Sequence, residues 1–156
     1  MLTYRLVRLI ETHSEDLAAR LLETVQHSEF TRSYSNVPAE ELRQWVYEIY
    51  QHLGDWLLAK TDTNLKQRYH AIGACRYEQN VPLAELVWAI VVAKETLCEF
   101  LTWEFVPTQT LDVFGELELL QLLNDFFDRA THYAVLGYEQ AREEQYAPQA
   151  RHRSPR

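Results

Sequence analysis

Three carboxylate–histidine pairs stand four residues apart in this chain: Glu23 with His27, Glu48 with His52 and Asp128 with His132. On a helix that spacing places both side chains on one face, where they could share a metal or a proton. A di-metal centre in a helical bundle draws a Glu-x-x-His pair from each of two helices, and the chain contains none. The pairs therefore read as charge pairing with solvated histidines. Six histidines also raise the question of haem, with His52, His70 and His132 as the imidazoles to weigh. Hydrogen-bonded or solvated imidazole is the simpler account, and no metal or other cofactor is expected. Nucleophilic catalysis has no foothold. Cys75 and Cys98 have no evident activating neighbour, no G-x-S-x-G occurs, and four glycines cannot build a phosphate-cradling loop of the usual kind.

Arg76 is the most informative polar residue. It recurs with Leu65, Tyr69 and Ile72 at spacings of three and four, on the apolar face of a helix predicted over Asn64 to Gln79. A guanidinium facing a core needs a partner, because an unpaired buried charge costs several kcal/mol. Glu85 and Glu95 on the following helix are the candidates for a structural ion pair. The other reading is an anion-binding arginine in a ligand pocket beside Trp88. Gly73, in mid-helix beside that face, costs about 1 kcal/mol relative to alanine unless another helix approaches closely.

These residues are held by the stretch Asp62–Trp103, two helical patterns meeting at the corner Asn80-Val81-Pro82. Pro82 suits the first turn of a helix, and the residue before a proline is pushed out of α geometry, so the bend is sharp. From Leu86 to Ala93 no polar residue appears, which marks a buried central helix too short in its apolar run to span a bilayer. Before the corner the spacing predicts one helix over Thr3–His27, a loop over Ser28–Val37 and a helix from Pro38 to about Lys60. After it comes a break at Val106-Pro107-Thr108, then a final helix to about Gln145.

That last helix carries two seams. One runs Leu117, Leu120, Asn124, Phe127, Thr131, Ala134, Tyr138 and Ala141; the other runs Leu119, Leu123, Phe126, Ala130, Tyr133 and Gly137. A helix of this extent spans on the order of 45 Å. One seam or one end is therefore expected to meet a second subunit, with the Leu119–Gly137 seam as the dimer interface; the alternative is a wide buried face within one monomer.

At 156 residues the chain is one domain, expected over 1–146 with a disordered basic tail at 147–156. A formal net charge of −8 argues against nonspecific binding to nucleic acid or anionic membranes. Two cysteines are too few for a disulfide framework, and the N-terminus lacks the features of a signal peptide, so the expected compartment is the cytoplasm.

The run RYHAIGACRYEQNVPLAEL, in which Tyr69, Gly73, Arg76, Pro82, Leu83, Glu85 and Leu86 hold their spacing, resembles the N-terminal domain of RsbR-type stressosome proteins, also called the RsbT co-antagonist N-terminal domain. LIETHSEDLAARLLETV and LLNDFFDRATHYAVLGYEQAREE are similar to the same family, and the likeness covers about Leu9 to Glu144. The resemblance implies an all-α, globin-like bundle that normally lacks haem, dimerises and serves as the input module of a signalling protein. In that family the final helix usually runs on into an output domain; here that domain is expected on a partner chain, unless the protein stands alone. The reading is a non-catalytic sensor that binds a protein or small ligand at Tyr69, Gly73, Arg76, Glu85, Trp88 and Glu95. Its rivals are a haem or gas-binding globin and a purely structural adaptor.

Overall fold

The computed structural model describes residues 2–51, 53–59, 62–104 and 110–151. Among them every regular element is helical: α1 (Leu2–Thr12), α2 (Ser14–His27), a 3-10 segment (Glu29–Asn36), α3 (Ala39–Gln51), α4 (Leu53–Ala59), α5 (Asp62–Glu78), α6 (Leu83–Glu104) and α7 (Thr110–Arg151). The chain is an all-α bundle. No helix among the described residues is long and apolar enough to cross a membrane.

The first helix is two helices rather than one. At His13 the backbone leaves helical geometry (φ −100°, ψ 16°), and its ring Nδ1 bonds the Leu9 carbonyl at 2.9 Å. Glu15 and Asp16 open α2, where carboxylates favour the positive end of the helix. Neither proline nor glycine marks this break, which is why the spacing runs straight through it. The expected loop at Ser28–Val37 is largely a 3-10 helix, started by the Ser28 hydroxyl accepting from Phe30 N–H at 3.2 Å. His52 and the break at Val106-Pro107-Thr108 lie outside the described residues.

α6 is central. Leu86, Ala89, Ile90, Ala93, Leu97 and Phe100 are buried against α2, the 3-10 segment and α7. Burying a leucine or isoleucine side chain stabilises the fold by about 1.5–3 kcal/mol. The buried hydroxyl of Tyr50 on α3 donates to the Ala93 carbonyl at 2.8 Å, tying α3 to that core.

α5 ends as its sequence dictates. Asn80 adopts φ 59°, a left-handed geometry that asparagine tolerates better than most residues. Val81 N–H then bonds the Arg76 carbonyl at 3.0 Å, and Asn80 N–H bonds the Tyr77 carbonyl at 3.1 Å. This pair of bonds closes the helix and buries Val81. Pro82 follows and starts α6, its carbonyl accepting from Glu85 and Leu86.

α5 packs chiefly along α7 and only lightly against α6. The cause is a pair of glycines. A Cβ on Gly73 would overlap the Ala134 carbonyl, and one on Gly137 would overlap the His70 carbonyl. The two backbones therefore touch, where any side chain would hold them apart. Tyr138 on α7 adds a buried hydroxyl bond to the Val81 carbonyl at 2.8 Å, fixing the corner to the same helix.

This packing corrects the expected dimer seam. Leu119, Leu123, Phe126 and Ala130 are buried within the subunit, Gly137 lies against α5, and Tyr133 is partly buried on the core. Of the neighbouring seam, Phe127, Ala134 and Tyr138 are also buried. Their repeat matches a partner that turns out to be the same chain. Among the described residues, Trp103 near the end of α6 and Val113, Phe114 and Leu117 in the first turns of α7 are exposed apolar side chains. α7 itself continues to Arg151, past the expected end near Gln145, so 147–151 of the expected tail are helical and 152–156 lie outside the described residues.

Candidate functional site

Arg76 is buried to 2% exposure, as its position on the apolar face requires. Its partner is Glu41, from the first turn of α3, and not Glu85 or Glu95: Arg76 Nη1 donates to Glu41 Oε1 at 2.9 Å. The same nitrogen donates to Gln79 Oε1 at 2.9 Å, and Gln79 Nε2 in turn donates to both Glu41 oxygens at 3.1 and 2.9 Å. Cys75 Sγ completes the cluster at 3.3 Å from Glu41 Oε1. The Glu41 side chain remains 40% exposed, so the pair joins a buried cation to an anion at the surface.

The electrostatics follow from that arrangement. Burial raises the Glu41 carboxyl's pKa, but hydrogen bonds from Gln79, Arg76 and Cys75, together with the guanidinium charge, outweigh it and hold the group below its ordinary range. The Cys75 thiol is pushed up by burial and by the adjacent carboxylate, which disfavours the nucleophilic thiolate.

Two aromatic rings close over the cation. The guanidinium carbon lies 5.7 Å from the Tyr34 ring centroid and 5.6 Å from that of Trp45, distances at which the ring faces attract a positive charge. Burial pushes the Tyr34 hydroxyl up to about 12 despite the opposing pull of Arg76. The Tyr34 hydroxyl, Trp45 Nε1 and Arg76 Nε are buried with no hydrogen-bond partner among the described residues. The corner is thus read by three elements at once: the 3-10 segment through Tyr34, α3 through Glu41 and Trp45, and α5 through Arg76 and Gln79.

The other expected site residues divide. Tyr69 and Gly73 accompany Arg76 on α5, Tyr69 buried with its ring edge on Phe126 and Gly73 against α7. Glu85 and Trp88 instead hold the 3-10 segment on α6. Glu85 Oε2 accepts from Ser33 N–H at 2.9 Å, and Trp88 packs on the exposed Phe30 ring at 5.4 Å. Glu95 is exposed on α6 and takes no part. Sequence reasoning misses Glu41, Tyr34 and Trp45. It misses Gln79 as well, which lies just past the end of α5, three residues after Arg76.

Among the described histidines, His70 Nε2 bonds Gln140 Oε1 at 2.8 Å, linking α5 to α7 once more, while His27 bonds the Glu23 carbonyl and the His132 ring lies tilted beside that of Tyr133. The described residues contain no group of three or more His, Cys, Asp or Glu that could hold a metal. The site holds α3 to the end of α5 through one ion pair and the hydrogen bonds of Gln79.

Among known families, the model described as the RsbT co-antagonist protein rsbRD N-terminal domain matches residues 12–153. No curated protein and no solved structure gives a match.

Proposed function

The chain belongs to the RsbT co-antagonist protein rsbRD N-terminal domain family, and from that premise we propose that it is a non-catalytic cytoplasmic signalling domain, working as a homodimer that passes a change at the Arg76 corner to its final helix. One observation carries the reading. α5 is fixed to α7 through backbone contact at Gly73 and Gly137, yet is held to α3 by the half-exposed Glu41–Arg76–Gln79 cluster. A ligand or partner protein that favours the open or closed form of that cluster shifts the population of one packing over the other. α7 then moves with α5. A latch of 1–3 kcal/mol would change populations by roughly 5- to 150-fold, the ordinary size of coupling between sites.

The second copy is assigned to the exposed apolar side chains at the end of α6 and the start of α7, Trp103, Val113, Phe114 and Leu117, of which Trp103 is 82% and Phe114 65% exposed. Such side chains favour an interface over solvent. An output protein on another chain is the further partner in this reading.

The test is light scattering across a dilution series. The wild type should dissociate from dimer to monomer, Phe114→Glu should be monomeric at all concentrations, and Arg76→Met should change the dissociation constant at least threefold. A monomeric wild type, or a dissociation constant indifferent to Arg76, would overturn the proposal.

A further inference from the structure

The face of α5 turned toward α3 is bridged almost entirely by side chains, since the two backbones scarcely approach each other. Two ion pairs span the gap in antiparallel order. Glu41 meets Arg76 at 2.9 Å, and one end along, Glu48 meets Arg68 at 3.9 Å. Arg68 borders two openings, one between α3 and α5 and one between α4, α5 and α7. A groove of about 420 Å³ has Trp45 and Ile72 in its lining, and a cavity of about 490 Å³ is walled by Trp56, Tyr69 and Phe126. Both volumes lie in the range of small-molecule sites, which are mostly apolar with a few placed polar groups.

The polar lining is mixed: Glu41, Gln44 and Glu48 face the groove and Asp55, Asn64 and Gln67 the cavity, and Arg68 is the cation that both share. Arg68 lines both openings, its side chain is 44% exposed, and its contact with Glu48 is too long for a hydrogen bond. Trp45 and Trp56, one at each opening, carry buried indole N–H groups without an acceptor among the described residues. Asp55 also lines the cavity but already has an interaction of its own. In the cavity, Trp56 and Tyr69 both pack on Phe126, at 5.2 and 6.1 Å, so an occupant would touch α7 directly.

We infer that the cavity between α4, α5 and α7 binds a small planar aromatic carboxylate, its ring against Trp56, Tyr69 and Phe126 and its carboxylate on Arg68, which it takes from Glu48. A flat ring fits walls of tilted and edge-on aromatic side chains. A carboxylate supplies the planar, two-oxygen acceptor that a guanidinium matches and that Glu48 holds only loosely. The inference deepens the signalling reading by naming what enters the cavity, and it rests on that reading only for the consequence to α7.

The test titrates 2-naphthoate and its neutral counterpart 2-naphthamide into the full chain by calorimetry. Wild type should favour the carboxylate by about tenfold, the size of a partly screened charge-assisted bond. Arg68→Gln, at a half-exposed position, should abolish that preference and leave the helical circular dichroism unchanged. Trp56→Phe removes the indole N–H and trims the aromatic wall, and should weaken both probes by about threefold. No binding of either probe, or a preference for the carboxylate that survives Arg68→Gln, would overturn the assignment. Binding through Arg68 that leaves the dimer dissociation constant unchanged would uphold the site and remove the signalling consequence.

Discussion

The two sides of α5 are held by opposite means. Toward α7 it lies backbone against backbone, with Gly73 under the Ala134 carbonyl and Gly137 under that of His70, and no room for a single added carbon. Toward α3 it is held at arm's length by Arg76 and Arg68, across a groove of several hundred Å³. Close packing resists deformation, while side-chain pairs with one or both partners in water, such as Arg68 with Glu48 and the Glu41 end of the Arg76 pair, exchange more readily for water or a ligand. The contrast shows how a helix becomes part of one rigid body and at the same time a removable contact of another.

The sharpest way to break the comparison is to attack the rigid side. Gly73→Ala should destabilise the protein by about 3 kcal/mol, the upper end of overpacking costs, because the obstacle is backbone and cannot swing away. In a chain of this size that is a fall in Tm of about 6–12 °C, read by thermal circular dichroism. The polar side should respond less. Glu41→Ala leaves Arg76 buried without its counter-charge, yet the lost carboxylate was half in water, so about 1–2 kcal/mol is expected in urea titrations. Arg76→Met should cost less than about 1.5 kcal/mol, since Glu41 is then free to hydrate and a similar stem still fills the space.

The same pair should give a pH signature. The folded Glu41 carboxyl sits below its ordinary 4.5, so its stabilisation is complete above that value and is lost as pH falls through the lower folded value. Stability measured from neutral to acid pH should therefore fall more steeply in wild type than in Glu41→Gln. The smallest effect belongs to the corner. Asn80→Ala should cost about 1 kcal/mol for the left-handed geometry, and Asn80→Gly should be near neutral.

Much of this architecture is legible in the order of residues alone. Pro82 after Val81 marks the bend, the unbroken apolar run in α6 marks the centre, and the place of Arg76 on an apolar face requires a buried charge with a partner. The identity of the partner is not legible. Glu41 sits next to Glu40 in the first turn after Pro38, where carboxylates are explained by the helix dipole alone, and nothing local tells that one of them crosses to α5. Gly73 announces a close approach without naming Gly137 as its counterpart. The Leu119–Gly137 seam shows the same limit: a repeat records that a face is covered, and α1, α4, α5 and α6 of the same subunit cover α7 as a second subunit would. The break at His13 leaves no signal because its cause is a ring-to-carbonyl bond rather than a helix-breaking residue.

Hydrogen exchange followed by mass spectrometry, on wild type and on Glu41→Ala, addresses the central claim that α5 and α7 form one body latched to α3. Loss of the latch should speed exchange in the 3-10 segment, the first turns of α3 and the last turn of α5, while the amides around Gly73 and Gly137 stay protected and, under rising urea, open together. Separate opening of α5 and α7 in either protein, or a latch variant that exchanges like wild type throughout, would contradict it.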